Sequence, residues 1–178
     1  MDERKIIAAA ARGDRYSFNQ LVRAYQGLVY RTAFHLLGDS GAATEVTQAT
    51  FVAARRELRS LRGLAFKVWL LRYVLAACNT RGVCRAAEPS HELDALLQAS
   101  LLALPLPERA AIVLADVEGL AYAELAQVMG TNIPAVQVCL SRARVQLRDA
   151  LFARPGVQAT YYDAAARSVP TSQEQRRL

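Results

Sequence analysis

Apolar residues recur every three or four positions along most of the chain, which is the spacing that places them on one face of an α-helix. Five segments carry this period, over residues 17–37, 42–58, 64–80, 93–104 and 107–119. Their ends coincide with helix-stopping residues, such as Gly38-Asp39-Ser40 after the first and Gly119 after the last. Glycine-bounded runs of Val, Ile and Thr are absent, so the pattern predicts an all-α protein.

The helical period is interrupted between the third and fourth of these segments. Residues 83–92 contain a proline and have no helical spacing, which predicts a short linker between two small helical domains at 1–82 and 93–152. Beyond Leu151 the apolar period fades, and Pro155-Gly156 and Pro170 interrupt the last part of the chain. Residues 153–178 are therefore predicted to form a largely disordered tail.

Residues 122–144 carry the pattern of a helix-turn-helix DNA-binding motif. Two short apolar stripes meet at Gly130, a residue that tolerates the positive φ of a tight turn. Asn132 is predicted to cap the second helix by accepting a hydrogen bond from the amide of Ala135. Pro134 falls in the first turn of that helix, where a missing N–H costs little.

Charge is distributed unevenly along the chain. Lys and Arg outnumber Asp and Glu by 14 to 6 in residues 1–85, whereas residues 86–152 hold 4 basic and 8 acidic side chains. Cations that neutralise phosphates supply most sequence-independent affinity for nucleic acid, so the first half is the stronger candidate for contacting a DNA backbone. The alternative is a solvated helix surface that keeps the protein soluble.

No enzyme motif accompanies this pattern. The phosphate-binding, dinucleotide-binding and hydrolase signatures are all absent, and Cys78, Cys84 and Cys139 lack the spacing of a zinc ribbon or a disulfide framework. We therefore expect no catalytic centre, no cofactor and no metal. The longest apolar run, 68–78, is too short to cross a bilayer and no secretion signal precedes it, so a cytoplasmic protein without membrane insertion is expected.

Several short motifs follow one another in a particular order. The first helix carries Phe18, Leu21, Val22, Tyr25, Val29, Tyr30, Arg31 and Ala33, and residues 43–51 (ATEVTQATF) and Trp69-Leu70 come after it. The second half holds Leu104-Pro105, Glu108-Arg109, residues 117–120 (VEGL), Tyr122, residues 124–126 (ELA) and residues 140–144 (LSRAR). In this order and spacing, residues 15–152 resemble bacterial RNA polymerase sigma factors of the small, two-domain extracytoplasmic-function (ECF) type of the sigma-70 family.

The resemblance implies a specificity factor that binds core RNA polymerase and promoter DNA, opens the duplex, and is held inactive by an anti-sigma factor. The implied core polymerase contacts are Glu45, Gln48 and Phe51 on the second helix. The implied contacts to the −10 element are Trp69, Arg72, Asn79, Arg81 and Arg85. The implied −35 contacts, within the helix-turn-helix at residues 121–144, are Asn132, Ile133, Pro134, Ala135, Gln137, Val138, Ser141, Arg142 and Arg144. For Phe51 and Trp69, packing in the core remains the alternative.

The recognition helix departs from the family pattern. Residues 135–140 are AVQVCL where the family usually has T-V-K-S-R-L, so a lysine, a serine and an arginine are missing. Gln137 can still contact adenine, whereas Val138 and Cys139 can meet only a thymine methyl. In addition, Ala121 replaces the serine that usually pairs with Glu124 in a capping box. Ala76 and Thr80 also stand where the segment that melts the −10 element commonly has Asn and Asp.

The linker adds a geometric constraint. Eleven peptide steps reach below about 40 Å, whereas promoter elements 17 base pairs apart are separated by about 58 Å along the DNA axis.

Three function classes stay open for this chain. They are a promoter-specificity factor, a sigma-like interaction protein that has lost autonomous −35 reading, and an ordinary helix-turn-helix regulator; an enzyme is the remotest alternative.

Overall fold

The structure is a computed structural model that describes residues 3–61, 64–81 and 92–153. Its α-helices are α1 (Glu3–Ala11), α2 (Arg15–Leu37), α3 (Ser40–Glu57), α4 (Phe66–Arg81), α5 (Glu92–Ala103), α6 (Leu106–Ile112), α7 (Tyr122–Met129) and α8 (Ile133–Phe152). A 3₁₀ turn (Leu58–Ser60) extends α3, and a π-helical turn (Val113–Val117) extends α6. The described residues contain no strand, and the all-α prediction is confirmed. The sequence pattern did not reveal α1.

Side-chain caps set the boundaries of the long helices in the first half. The carboxylate of Asp14 accepts hydrogen bonds from the amides of Tyr16 and Ser17 at the start of α2. Gly38 ends α2 in the left-handed conformation (φ 74°), and its N–H bonds to the carbonyl of Phe34. Asp39 then caps α3, because its Oδ1 accepts from the amide of Ala42 at 2.6 Å.

The helix predicted over 107–119 is shorter and less regular than expected. It begins at Leu106, so Pro107 occupies the second helical position rather than the first. Either position suits proline, because the first four amides of a helix have no partner within it. After Ile112 the chain passes into the π turn, and Gly119 (φ 67°) reverses it before α7.

The two halves of the chain pack against each other through a continuous apolar core. In this core α7 lies on α4, and α6 lies against α2. Helix α5 also contacts α2, but its buried Leu101 belongs to a second, smaller cluster with Leu104, Ile112 and Ala143. Leu102 of α5 approaches Gly38 so closely that a side chain at this glycine would collide with it. The positive φ therefore favours glycine at this position, and any larger residue would also require the Leu102 side chain to move. The domain boundaries at 82 and 93 stay a prediction; most of the proposed linker, and residues 154–178 of the predicted tail, lie outside the described residues.

Glu118 forms a polar junction between the halves. Its carboxylate, 2% exposed, accepts a bidentate pair of hydrogen bonds from Arg31, from Nε at 2.9 Å and from Nη2 at 2.7 Å. The hydroxyl of Thr32 donates to the same carboxylate at 3.4 Å, and Nζ of Lys67 donates to the Glu118 carbonyl at 2.9 Å. Pairing with Glu118 raises the pKa of Arg31 above its ordinary value. The turn between α6 and α7 is thereby bonded to both α2 and α4.

Arg109 is buried where the ends of two helices meet. Only 1% of it is exposed, and its guanidinium donates to the carbonyls of Leu36, Leu101, Leu102 and Leu104. These carbonyls lie at the end of α2 and at or just after the end of α5, where carbonyls run out of intrahelical donors; the Leu101 carbonyl also accepts from the Leu104 amide at 3.1 Å. A cation is also favoured there by the negative end of each helix dipole. Burial lowers the pKa of Arg109, but a guanidinium remains charged at neutral pH.

We expect Arg109→Leu to lower the free energy of unfolding by about 2–4 kcal/mol, because it leaves several buried carbonyls without a donor. Urea denaturation followed by circular dichroism measures the change. Arg148→Gln is the matched control: Arg148 pairs with Asp149 on the surface, and its loss should cost less than about 0.5 kcal/mol. Equal losses of unfolding free energy for the two substitutions would contradict the role of Arg109 as the donor to these carbonyls.

Candidate nucleic-acid interface

Helices α7 and α8 form the helix-turn-helix that the sequence predicts. Gly130 ends α7 with φ 66°, and the Asn132 Oδ1 accepts from the Ala135 amide at 2.9 Å at the start of α8. Val136 and Leu140 point into the core and fix the rotation of α8. The opposite face of its first turns is therefore the one that solvent reaches.

The predicted −35 residues all lie on this accessible face. Each one is exposed: Asn132, Ile133, Pro134, Ala135, Gln137, Val138, Ser141, Arg142 and Arg144. The face is mostly apolar in its first two turns, and Val138, 59% exposed, projects from its middle. Gln137 supplies the polar amide of these two turns. This surface suits thymine methyls and a single amide contact better than a row of phosphates.

The arginines of α8 are already paired with carboxylates. Arg144 forms a bidentate pair with Asp116, at 3.1 Å from Nε and 2.7 Å from Nη2, which raises the pKa of the arginine. Arg142 lies 3.9 Å from Glu108 in the ion pair between them. Arg148 binds the adjacent Asp149 through Nε and Nη2. A phosphate approaching α8 would have to compete with these carboxylates for each cation.

An apolar cleft separates α8 from the start of α6. It has a volume of about 370 Å³ and is lined by Glu108, Pro134, Ala135, Val138, Cys139 and Arg142. The Cys139 thiol donates to the carbonyl of Pro107 at 3.7 Å, and burial raises its pKa. The thiol is therefore protonated at neutral pH and acts as an apolar surface.

The capping box of α7 is half present. Glu124 accepts from the Ala121 amide at 3.0 Å, as the glutamate of such a box does. The methyl group of Ala121 cannot accept the reciprocal bond, as the sequence indicated. The first helix of the motif therefore depends on packing, with Leu125, Ala126 and Val128 buried.

Trp69 is the clearest departure from the expected −10 contacts. It is 6% exposed and packs between Phe66 and Tyr73, with ring centroids at 5.8 and 4.9 Å. Its ring faces are covered by protein, so stacking on a base is excluded in this conformation. Core packing, the alternative open at the sequence level, is its role here.

The remaining predicted −10 residues do not form one site. Arg72 and Asn79 are exposed on α4, but Arg81 forms an ion pair with Glu45 of α3. Arg81 was predicted to contact DNA and Glu45 to contact core polymerase. In the structure their opposite charges neutralise each other. Arg85 lies outside the described residues.

The predicted core polymerase surface is also divided. Gln48 and Glu45 are exposed on α3, whereas Phe51 is 8% exposed and belongs to the core. Phe51 therefore fixes α3 on its neighbours instead of contacting a partner. Gln48 and Glu45 remain the accessible positions of this set.

Sequence reasoning missed a cluster of arginines on the first half. A cleft between the α1–α2 turn and the end of α3 is lined by Arg15, Arg55, Arg56 and Arg59. Arg55 and Arg56 lie in the last turn of α3 and Arg59 in the 3₁₀ turn that follows it, and that spacing was a usable signal. The approach of Arg15 from another helix was not visible in the sequence.

Two general properties of the described residues bear on the class of site. Within residues 3–61, 64–81 and 92–153, no group of three or more His, Cys, Asp or Glu side chains is placed to hold a metal ion. Across the same residues, no helix combines the length and hydropathy needed to cross a membrane.

Comparisons with known proteins agree with the order of the helices. Residues 21–81 match the family described as Sigma-70 region 2, and residues 94–147 match Sigma-70, region 4. The ECF RNA polymerase sigma factor SigE of Mycolicibacterium smegmatis is 35% identical over 76% of this chain, which spans 62% of that protein. The ECF RNA polymerase sigma factor SigM of Mycobacterium tuberculosis is 30% identical, covering 80% of this chain and 81% of its own length.

A solved structure extends the agreement to the arrangement of the helices. The structure of CnrH in complex with the cytosolic domain of CnrY superposes with a TM-score of 0.75 at 28% identity. The superposed region covers 86% of this chain and 99% of the CnrH chain. The likeness therefore includes both halves.

We expect the fluorescence of Trp69, the one tryptophan in the chain, to be that of a buried indole and to stay unchanged when single-stranded DNA is added. Emission maximum and acrylamide quenching measure this. The urea-unfolded protein provides the exposed reference. Quenching by DNA under conditions that leave circular dichroism unchanged would show that the ring leaves the core to stack on a base.

Proposed function

Because the chain belongs to the sigma-70 family of RNA polymerase sigma factors, as a member of the ECF type, we propose that it binds core RNA polymerase and directs promoter-specific initiation of transcription. The polymerase supplies the bond-forming chemistry, and this chain supplies recognition. The observation that carries the proposal is the helix-turn-helix of α7 and α8, whose first recognition turns are exposed and which comes after a basic helical unit in the chain.

The two halves have different parts in this proposal. Residues 1–82 bind core polymerase through the exposed face of α3, including Gln48, and contact the −10 element through α4, including Arg72 and Asn79. Residues 93–152 contact the −35 element through Gln137 and Val138. The positive charge of the first half supports its larger share of backbone binding.

The contact between the halves bears on how the protein works. Promoter elements separated by 17 base pairs lie about 58 Å apart, whereas α7 packs directly on α4 in the structure. The halves must therefore separate before both elements are bound together. Separation breaks the Arg31–Glu118 pair and removes the Leu36 carbonyl from Arg109. We propose that the packed arrangement is the form that does not span a promoter.

The proposal includes an anti-sigma factor as partner and the cytoplasm as location. The similar CnrH structure was solved with a bound protein, the cytosolic domain of CnrY. A protein that holds the packed halves together would stabilise the arrangement seen here by mass action.

A second candidate function has an observation of its own in its favour. Arg142, Arg144 and Arg148 are each paired with a carboxylate, and the helix surface beside them is apolar. These features suit a sigma-like protein that binds polymerase or a regulator and has lost autonomous −35 reading. The exposed Gln137 and Asn132 favour retained DNA contact, so promoter recognition remains the leading proposal.

Run-off transcription on a genomic fragment library tests the leading proposal. Core polymerase with this protein should produce discrete transcripts from a small set of fragments, because specificity comes from paired −10 and −35 contacts. Core polymerase alone is the control and should produce none of them. Retained core binding without any promoter-dependent transcript would support the second candidate.

Restoring charge to α8 should strengthen its contact with DNA. For Gln137→Lys with Cys139→Arg, the slope of log affinity against log salt should become steeper by about one to two units on duplex DNA, one for each new phosphate contact. Fluorescence anisotropy over a salt series measures the slope. Asn19→Lys with Gln26→Lys, both at exposed positions of α2, adds the same charge away from α8. Equal slopes for the two variants would indicate that α8 does not meet DNA.

A further inference from the structure

The accessible face at the start of α8 is apolar beside Gln137. Val138 is 59% exposed, the largest exposed fraction among the large apolar side chains of this helix. It borders the apolar cleft between α8 and the start of α6, which Pro134, Ala135 and Cys139 also line. This cleft is therefore continuous with the surface predicted to meet the −35 element.

The polar groups around the apolar cleft are engaged within the protein. The Cys139 thiol donates to the carbonyl of Pro107. The side chain of Glu108 is 13% exposed, and its carboxylate lies 3.9 Å from Arg142. A ligand in this cleft therefore meets mainly carbon and sulfur atoms.

The fold holds the Val138 side chain in one direction. Val136 and Leu140 are buried, so the core sets the rotation of α8 about its axis. A valine in a helix also has one strongly preferred χ1 rotamer. The two methyl groups of Val138 are therefore preorganised, and little conformational entropy is lost when they contact a ligand.

Thymine is the base that presents an apolar group in the major groove of DNA. Its C5-methyl group lies there, whereas the edges of adenine, guanine and cytosine offer N7, O6, N6 or N4 for hydrogen bonding. An apolar protein surface leaves those polar atoms without a partner, which is unfavourable. Val138 therefore favours thymine by contact and disfavours the other bases by desolvation.

Glu108 is the lining residue that suits a different base, because a carboxylate accepts a hydrogen bond from N4 of cytosine. Its side chain is largely covered and has Arg142 beside it, whereas Val138 projects into solvent. The contact that a base edge meets first is therefore the one with Val138.

We propose that Val138 is a specificity-determining residue of the −35 contact, and that it reads thymine through the C5-methyl group. This role rests on the proposed function, because it requires α8 to lie in the major groove. Gln137, the neighbouring exposed residue, suits adenine. The −35 element of this protein therefore contains adenine and thymine at neighbouring positions. Because a methyl contact releases no counterions, the preference for thymine is independent of salt.

Selection from random duplex DNA tests this preference without a known promoter. Core polymerase with the full chain is presented with one library made with thymidine and a second made with deoxyuridine, which lacks only the methyl group. The thymidine library should yield an upstream motif with thymine beside adenine. The deoxyuridine library should lose the enrichment at the thymine position.

Single substitutions in the selected duplex and in the protein then assign the contact. Replacing the thymine by uracil should weaken binding about fourfold, as expected for one buried group of methylene size. Val138→Ser should bind the thymine and uracil duplexes equally. Val145→Ser is the matched control and should keep the fourfold difference, because Val145 is 45% exposed and lies two turns further along α8, outside the cleft. Fluorescence anisotropy over a salt series measures these ratios, which should stay constant while the affinities fall.

The outcomes separate this role from the proposed function. Equal binding of the thymine and uracil duplexes by the wild type, a preference for cytosine at that position, or a fourfold difference retained in Val138→Ser would overturn the thymine contact alone. So would a selected −10 motif without an upstream one. No motif from either library, with no discrete run-off product, would overturn the proposed function and the thymine contact with it. The comparison of thymine with uracil uses the wild-type protein, so misfolding of a variant cannot produce its result.

Discussion

The buried guanidinium of Arg109 is the interaction on which the arrangement of the two halves depends. Helices α2 and α5 end close together, and each leaves carbonyls without intrahelical donors. Burying those carbonyls without partners would cost about 1–3 kcal/mol for each one. Arg109 is long enough to reach both helix ends, and its planar group donates in several directions at once. Gly38 then allows Leu102 to close over the junction.

A second junction between the halves is both polar and apolar. It combines the hydrogen bonds of Glu118 with Arg31 and Lys67 with the apolar contact between α4 and α7, which is part of the continuous core. The polar groups of this junction can exchange their partners for water, so their net contribution is smaller than their number suggests.

The two halves differ in how their exposed arginines are paired. The helix-turn-helix retains its geometry, yet Glu108, Asp116 and Asp149 neutralise the cations of α8. The first half keeps exposed, uncompensated arginines at the end of α3. The second half therefore has the recognition motif with paired arginines, and the first half has exposed arginines without such a motif.

Local chemistry alone determined the helices and their caps. The predictions for Gly38, Gly130 and Asn132 were confirmed because a helix end depends on residues within one turn of it. The family and the exposed face of α8 also followed from order and spacing. For Trp69 and Phe51 the sequence left contact and core packing open; both are buried in the structure, because burial depends on which helices cover a side chain. Arg81 pairs with Glu45, Arg144 pairs with Asp116, and Arg15 lies in one cleft with Arg55, Arg56 and Arg59. Each of these contacts joins residues that are distant in sequence, so only the tertiary structure determined it.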